Sequence, residues 1–219
     1  MERRTCLSVL SAVVVTVLAT ALLAPPASAG TVSARTLLEE LTVRAESSGS
    51  SYDRAAFRHW IDADGDGCDT RAEVLKEESS VATEHTGTCT ITTGAWHSYY
   101  DDTSFTAAGD LDIDHMVPLK EAWISGASSW SAAQRESFAN DLGYDFTLVA
   151  VSASSNRSKG DRDPDAWLPP SAAAECDYVK QWIAVKWRWS LTLDSAEKVA
   201  VEASLDGCSS LSVEAPSKG

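Results

Sequence analysis

Two apolar runs and the helix expected after the second run constrain the fold of this chain most strongly. Leu111 and Ile113 alternate with acidic residues, which predicts a short strand. Residues 146–151 form the clearest strand pattern in the sequence, and Ser154 or Ser155 directly after it can cap a helix. The order of strand, connection, strand and helix predicts an α+β fold with these elements at its centre.

The flanking segments predict further short elements. Helical spacing and capping patterns predict helices near residue 37, at 52–61, at 71–77, at 119–125, at 132–141, at 172–189 and from 194 through 205. A short strand is expected at 88–92. Residues 103–109 are expected to form a loop, and residues 209–219 a frayed tail.

Residues 1–29 have the pattern of a secretory signal peptide. A basic start precedes a nearly continuous apolar stretch, and the small residues Ala27-Ser28-Ala29 stand before Gly30. We therefore expect cleavage before Gly30 and a secreted, extracellular protein of residues 30–219 that forms one domain. No second apolar run could span a bilayer, so we expect a soluble monomer without membrane contact after cleavage.

Four cysteines remain after that cleavage, an even number in a chain addressed to an oxidising compartment. They can pair in three ways, and their order favours Cys68 with Cys89 and Cys176 with Cys208, since each of these pairs closes a local loop. A zinc cluster is the competing interpretation, but no two of these cysteines have the close spacing of zinc ligands. We therefore predict two disulfides.

The chain carries a formal net charge of −14 at pH 7. Proteins that gain affinity by neutralising phosphates are usually basic or carry a basic patch. This chain is therefore not expected to bind nucleic acid without local cations and a bound metal. The affinity for such a polymer should be low and sensitive to salt.

An acidic loop inside a predicted helix-loop-helix at 52–77 satisfies the calcium pattern of an EF-hand. Asp62, Asp64 and Asp66 stand at alternate positions, and Glu73 stands at the twelfth position. Oxygen ligands at this spacing can surround one Ca²⁺ ion. The alternative is an acidic turn between helices, which is favoured by an aspartate at the eighth position, where a branched apolar residue is usual.

The end of the first central strand carries the residues best suited to chemistry. Asp114 and His115 adjoin there, and a carboxylate beside an imidazole is typical of metal sites. Asn140 follows near the end of an expected helix, and Asn156 opens the helix after the second strand. The order His, Asn, Asn, with an Asp before the His, predicts a nuclease. Taken alone, the Asp-His pair can also be structural, and Asn140 can be only a helix C-cap.

The run 112–119, together with Asn140 and residues 156–159, resembles the HNH family of His-Me finger endonucleases, whose core is a ββα-metal motif. The wider pattern, including residues 64–71, is similar to secreted actinobacterial HNH proteins. That group is related to the C-terminal domain of GmrSD-type restriction endonucleases. The resemblance spans most of the mature chain and implies a ββα-metal core at about residues 110–170 within a single HNH nuclease domain.

The resemblance implies a division of roles within this core. His115 would be the general base that takes a proton from water, and Asp114 and Asn156 would hold one divalent ion against the scissile phosphate. Asn140 would orient His115 or its loop, and cleavage would leave a 5′-phosphate. Asn156 stands where some HNH enzymes have a third histidine, which favours magnesium or manganese over a zinc-like site.

Basic residues beside this expected ion site are candidates for phosphate binding. Arg157 and Lys159 lie near a helix start, where their charge and the free backbone N–H groups both favour a phosphate. Arg162 is a weaker candidate for the same contact.

The sequence therefore predicts a secreted, metal-dependent DNA endonuclease of little sequence specificity. Its expected ion is Mg²⁺ or else Mn²⁺, with Ca²⁺ as a further structural ion. One alternative is a calcium-binding extracellular interaction module with a vestigial nuclease site, which predicts calcium-dependent folding without DNA nicking. Another is a phosphodiesterase acting on RNA or small phosphates, which substrate competition would separate.

Overall fold

The computed structural model describes Met1 and residues 30–219, so the predicted signal peptide lies outside the described residues. The strands are β1 (Thr31–Ser33), β2 (Glu84–Thr86), β3 (Thr90–Ser98), β4 (Thr103–Ala107), β5 (Leu111–His115), β6 (Leu148–Ser152) and β7 (Ser212–Glu214). The α-helices are α1 (Ala34–Glu40), α2 (Thr70–Glu77), α3 (Leu119–Ile124), α4 (Ala132–Ala139), α5 (Ala153–Lys159), α6 (Glu175–Arg188) and α7 (Ser195–Asp206). This mixture confirms the α+β class. Among residues 30–219, no helix combines the length and the apolar character needed to cross a bilayer.

The two central strands pair as an antiparallel ribbon that leads directly into α5. Leu111 lies opposite Ser152 and His115 lies opposite Leu148, and every residue of β6 is buried. The hydroxyl of Ser152 accepts a hydrogen bond from the backbone N–H of Ser155 at 3.2 Å, so Ser152 caps α5. The helix therefore begins three residues before Asn156, and not at Asn156 as predicted. The earlier start places Asn156 in the body of α5, beside β5.

Two segments that were expected to lack regular structure form strands. Residues 103–107 make β4, which pairs antiparallel with β3, and the three strands β2, β3 and β4 form one sheet. The expected frayed tail contains β7, which pairs antiparallel with β1. Both predictions were wrong because these short strands are stabilised by partners elsewhere in the chain and carry little pattern of their own.

The prediction of a helix at 52–61 is also wrong. Only a single 3₁₀ turn forms, at Arg54–Phe57, and Asp53 caps it by accepting the backbone N–H of Ala55 at 2.9 Å. Arg58 then has φ of 42° and Trp60 has φ of 63°, and this left-handed backbone ends the helical path. The apolar residues of this segment stand at helical spacing in the sequence, but they pack on the core from a turn and not from a helix. The EF-hand loop accordingly lacks its preceding α-helix.

Two groups of buried apolar side chains form the core, and the disulfides lie at their edges. The larger group packs α1, α3, α4, α6 and α7 around Trp182, and the smaller one lies under α2, β3 and the central ribbon. Cys68 pairs with Cys89, and Cys176 pairs with Cys208, with Cα–Cα distances of 5.0 and 5.7 Å. Both predicted pairings are confirmed.

A buried charge cluster joins α3, α6 and α7. Nζ of Lys186 lies 2.8 Å from Oε1 of Glu121 and 2.6 Å from Oε1 of Glu197, and all three side chains are excluded from water. Burial raises the pKa of Glu197 to about 7, Lys186 opposes this rise, and the charge of Glu121 adds to it. One ammonium thus faces two carboxyl groups in the core.

This cluster predicts a pH dependence of stability. Because the pKa of Glu197 is raised in the folded state, its contribution to the free energy of unfolding is fully present below about pH 4.5 and is lost as the pH rises through about 7. We expect the free energy of unfolding of a Glu197→Gln variant, relative to that of the unaltered protein, to increase by on the order of 2 kcal/mol between pH 5 and pH 8. Urea unfolding at several pH values measures this difference.

Glu202→Gln on the outer side of α7 is the matched control and should follow the unaltered protein at every pH. Parallel profiles for Glu197→Gln and the unaltered protein, or a difference that shrinks with rising pH, would contradict the assignment.

Candidate active site

A small cleft of about 70 Å³ opens beside the end of β5, α5 and the 3₁₀ turn at 54–57. Its apolar wall includes Ile113, Pro118 and Leu119. The polar groups that line it are Arg54, Asp114, His115, Asn156 and Asp161. The structure thus brings together three of the residues predicted to form the site, and adds an arginine and an aspartate that the sequence analysis did not select.

Asp114 is held by two hydrogen bonds to one of its oxygens. Tyr100 Oη donates to Asp114 Oδ2 at 2.7 Å, and the Lys159 ammonium donates to the same oxygen in a very short contact. Within residues 30–219, Oδ1 of Asp114 receives no hydrogen bond. Burial raises the pKa of Asp114, and the charge of Lys159 opposes that rise. The carboxylate therefore has one oxygen fixed by the protein and a second one left for a ligand.

Lys159 occupies a position different from the predicted one. Its side chain is fully buried, and besides Asp114 it donates to the backbone oxygens of His115 at 2.9 Å and Met116 at 2.8 Å. All three ammonium protons are thus engaged inside the protein. The prediction that Lys159 binds a phosphate does not fit this geometry; Lys159 instead connects the last turn of α5 to the end of β5.

The hydrogen bonding of His115 fixes which ring nitrogen carries the proton. Nε2 lies 2.9 Å from the backbone oxygen of Ala139, and a carbonyl oxygen can only accept, so the proton is on Nε2. Nδ1 has no hydrogen-bond partner in the part of the chain that the structure describes. Burial lowers the pKa of His115 to about 3, and the positive charge of Arg54 adds to the lowering. At neutral pH the ring is a neutral imidazole with a free lone pair on Nδ1.

Two aromatic rings flank this imidazole. The ring of Trp60 lies 5.4 Å from that of His115 at an angle of 31°, and the ring of Phe138 lies 6.3 Å away at 29°. Neither ring carries a nitrogen or oxygen acceptor for the N–H group of the imidazole. They restrict the rotation of His115 and exclude water from most of its surface, which accounts for the low pKa.

Asn140 does not contact the imidazole but holds the loop that packs on it. Its Nδ2 donates to the backbone oxygen of Arg58 at 3.1 Å, and its Oδ1 accepts from Ile61 N at 3.1 Å and from Thr70 Oγ1 at 2.8 Å. These bonds bracket the left-handed residues Arg58 and Trp60. Asn140 is thus both the C-cap residue of α4 and an anchor for the loop over His115.

The amide of Asn156 is oriented by Asp112. Nδ2 of Asn156 donates to Oδ2 of Asp112 at 3.2 Å, and because a carboxylate only accepts, the amide nitrogen must face it. Among residues 30–219, Oδ1 of Asn156 has no hydrogen-bond partner. Asp112, which the sequence analysis left without a role, therefore determines that Asn156 offers an oxygen.

The two remaining predicted phosphate ligands lie on the surface near α5. Arg157 is 75% exposed, and its Nε lies 3.4 Å from Oδ2 of Asp112. Arg162 is exposed and donates from Nε to the backbone oxygen of Lys159 at 3.1 Å. Neither residue lines the cleft itself. Both are exposed cations, and their contact with a phosphate stays a prediction.

The acidic loop gathers three of its four predicted calcium ligands. Asp62, Asp64 and Asp66 each present a carboxylate oxygen within 4.8 Å of the others, and all three are exposed. All three carboxylates also accept backbone N–H groups of the loop, as Asp62 does from Gly65 at 2.9 Å. Glu73 instead pairs with Lys76 at 3.0 Å and lies beside the disulfide. The structure does not bring Glu73 into the aspartate group.

The position of Lys159 leads to a stability prediction. Lys159→Met leaves the buried Asp114 without its cationic partner, and we expect a loss of about 3–5 kcal/mol in the free energy of unfolding. Lys120→Met is the control, since Lys120 forms an exposed pair with Asp161 and should cost less than about 1 kcal/mol. Urea unfolding near pH 7 measures both changes. Equally small losses would show that the ammonium of Lys159 is solvated.

Comparison with known proteins places the chain in a family. The family model described as the C-terminal domain of GmrSD restriction endonucleases matches residues 69–201, more than half of the chain. An uncharacterized secreted protein of Arthroderma benhamiae is 43% identical over 204 residues, which cover 93% of this chain and 98% of the relative. No solved structure matches the chain at a significant level.

This relative is fungal, so the actinobacterial grouping remains an expectation from the sequence. The matched range contains the central ribbon, α5 and every predicted site residue except the first three acidic-loop aspartates. The chain belongs to the family of GmrSD restriction endonuclease C-terminal domains, a nuclease-type family.

Proposed function

We propose that the protein is a secreted, metal-dependent HNH endonuclease that hydrolyses phosphodiester bonds of DNA with little sequence specificity. The observation that carries this proposal is the state of His115. Its Nε2–H is fixed on the Ala139 oxygen, its Nδ1 has no hydrogen-bond partner among residues 30–219, and the residue lines the same cleft as Asp114 and Asn156. The family supports a nuclease function, and the relative described as a secreted protein supports secretion.

The donor groups of the cleft suit a hard divalent ion. Asp114 and Asn156 each keep one oxygen without a hydrogen bond from the described residues, and oxygen ligands are those that Mg²⁺ and Mn²⁺ prefer. These two residues would hold the ion. When bound, such an ion polarises the phosphate and stabilises negative charge on the leaving oxygen. These two residues lie on β5 and α5, which together with β6 would form a ββα-metal core.

His115 supplies the proton transfer. Nδ1 takes a proton from water, the water oxygen forms a bond to phosphorus, and the bond from phosphorus to the 3′-oxygen breaks, so that the product keeps a 5′-phosphate. The departing oxygen takes up a proton from solvent. A phosphodiester in the cleft raises the pKa of His115 from its low value, because a nearby negative charge favours the protonated ring.

The other residues of the site position these groups. Tyr100 and Lys159 hold Asp114, Asp112 orients Asn156, and Asn140 holds the loop over His115. In a chain with a net charge of −14, capture of DNA depends on the few cations near the cleft and should weaken steeply with salt. We further propose that the protein acts outside the cell as a monomer.

Removal of the proposed base tests this function. We expect His115→Ala to lower the rate of plasmid nicking in Mg²⁺ by at least ~100-fold, because His115 is the imidazole among the described residues that line the cleft. His85→Ala, at an exposed histidine in β2, is the matched control and should nick at the unaltered rate. Agarose gels of supercoiled plasmid measure the rate. Equal nicking by both variants, or no nicking by the unaltered protein with any of several divalent ions, would exclude the proposal.

A calcium-binding role is a second candidate, favoured by the grouping of Asp62, Asp64 and Asp66. Ca²⁺ would stabilise this loop by neutralising three carboxylates, so we expect the melting temperature to rise when Ca²⁺ replaces chelator. Asp64→Asn should abolish most of that rise, and Asp165→Asn, at another exposed aspartate, should leave it intact. Differential scanning calorimetry makes the comparison. The same melting temperature with Ca²⁺ and with chelator would remove this role.

A further inference from the structure

Among the described residues that line the cleft, Arg54 is the cation that the predicted site does not include. It begins the 3₁₀ turn at 54–57, more than fifty residues before β5, and it has no sequence pattern linking it to the central ribbon. The turn is anchored by Phe57, whose buried ring lies 6.2 Å from that of Phe138. Because Phe138 also flanks His115, the backbone of Arg54 is fixed relative to the imidazole.

Three other cations near the cleft already have acidic partners. Lys159 is paired with Asp114, and Arg157 lies 3.4 Å from Asp112. Lys120 lies 3.6 Å from Asp161, which itself lines the cleft.

Within residues 30–219, Arg54 has no carboxylate within 4.0 Å, and its side chain is exposed. It therefore presents a positive charge that the protein does not neutralise. An unpaired guanidinium that lines the cleft can donate hydrogen bonds to an anion there.

We propose that Arg54 binds the non-bridging oxygens of the scissile phosphodiester and is a catalytic residue of this site. The inference rests on the proposed nuclease function. A guanidinium offers two parallel N–H groups that match two phosphate oxygens, and it stays protonated throughout the reaction. It transfers no proton. It stabilises the negative charge that grows on these oxygens while water adds to phosphorus and the 3′-oxygen leaves.

This role gives Arg54 a function that Lys159 cannot have. Lys159 was expected to bind phosphate from α5, but its ammonium is directed into the core. Arg54 approaches from another element of the chain, so the phosphate would lie between Arg54 and the groups at the end of β5.

Kinetics of three variants test the proposal. We expect Arg54→Ala to lower kcat/KM for plasmid cleavage about 10- to 100-fold, with most of the loss in kcat, since the contact strengthens as charge develops. Arg54→Lys should recover only part of the rate, because an ammonium lacks the paired N–H groups. Arg44→Ala, an exposed arginine that does not line the cleft, should match the unaltered enzyme. Melting temperatures of all three should stay within the range of the unaltered protein.

A binding measurement separates failure of this inference from failure of the proposed function. In the His115→Ala background, fluorescence anisotropy of a short labelled DNA duplex at low salt should show weaker binding when Arg54 is also changed to Ala. If the unaltered enzyme cuts DNA and Arg54→Ala cuts equally well, Arg54 has no catalytic role although the nuclease proposal stands. If the unaltered protein does not cut DNA, the nuclease proposal fails, and equal duplex affinity with and without Arg54 then overturns the phosphate contact as well.

Discussion

The buried ion pair between Lys159 and Asp114 determines how both the core and the cleft are arranged. Taking two charges out of water is costly, and the attraction between them compensates only when further hydrogen bonds satisfy the remaining donors and acceptors. Here the backbone oxygens of His115 and Met116 accept the other ammonium protons, and Tyr100 donates to the carboxylate. The pair therefore locks the last turn of α5 against the end of β5. This lock sets which oxygen of Asp114 faces the cleft.

The geometry of His115 depends on a second constraint, a strained loop. Arg58 and Trp60 are not glycines, yet both have a left-handed backbone, which costs free energy for side chains of this size. Asn140 bonds to the loop on both sides of Trp60, and Thr70 at the start of α2 adds a further hydrogen bond to Asn140. The loop is thereby kept where Trp60 covers the imidazole. An asparagine that never touches the histidine can thus still decide its orientation.

Local patterns predicted the central part of the fold well. The apolar runs located β5 and β6, and the capping boxes at Ser131 and Asp194 form as expected at the starts of α4 and α7. These signals succeed because their energetics lie within a few neighbouring residues. The segments that failed, at 52–61, in β4 and in β7, take their conformation from partners far along the chain. Patterns within a short stretch of sequence do not identify those distant partners.

The same distinction applies to the site. Asp114, His115 and Asn156 could be selected because they stand at the ends of predictable elements. Arg54 and Tyr100 could not, since Arg54 reaches the cleft, and Tyr100 reaches Asp114, from segments with no spacing relation to the site. Lys159 was selected for the wrong contact, because lysine is almost always solvent-exposed and its burial follows only from the tertiary fold. The amide orientation of Asn156 likewise follows only from its contact with Asp112 on β5.

The pairing of β1 with β7 has a consequence for the timing of folding. Val32 lies opposite Val213, so the sheet that joins them cannot form until the ribosome has synthesised all of the residues between them. The disulfide between Cys176 and Cys208 ties α6 to the end of α7, and it needs an oxidising compartment to form. The native fold is therefore completed only after synthesis and, for an exported chain, after translocation. A nuclease built in this way would gain its full stability only where the DNA of its own cell is out of reach.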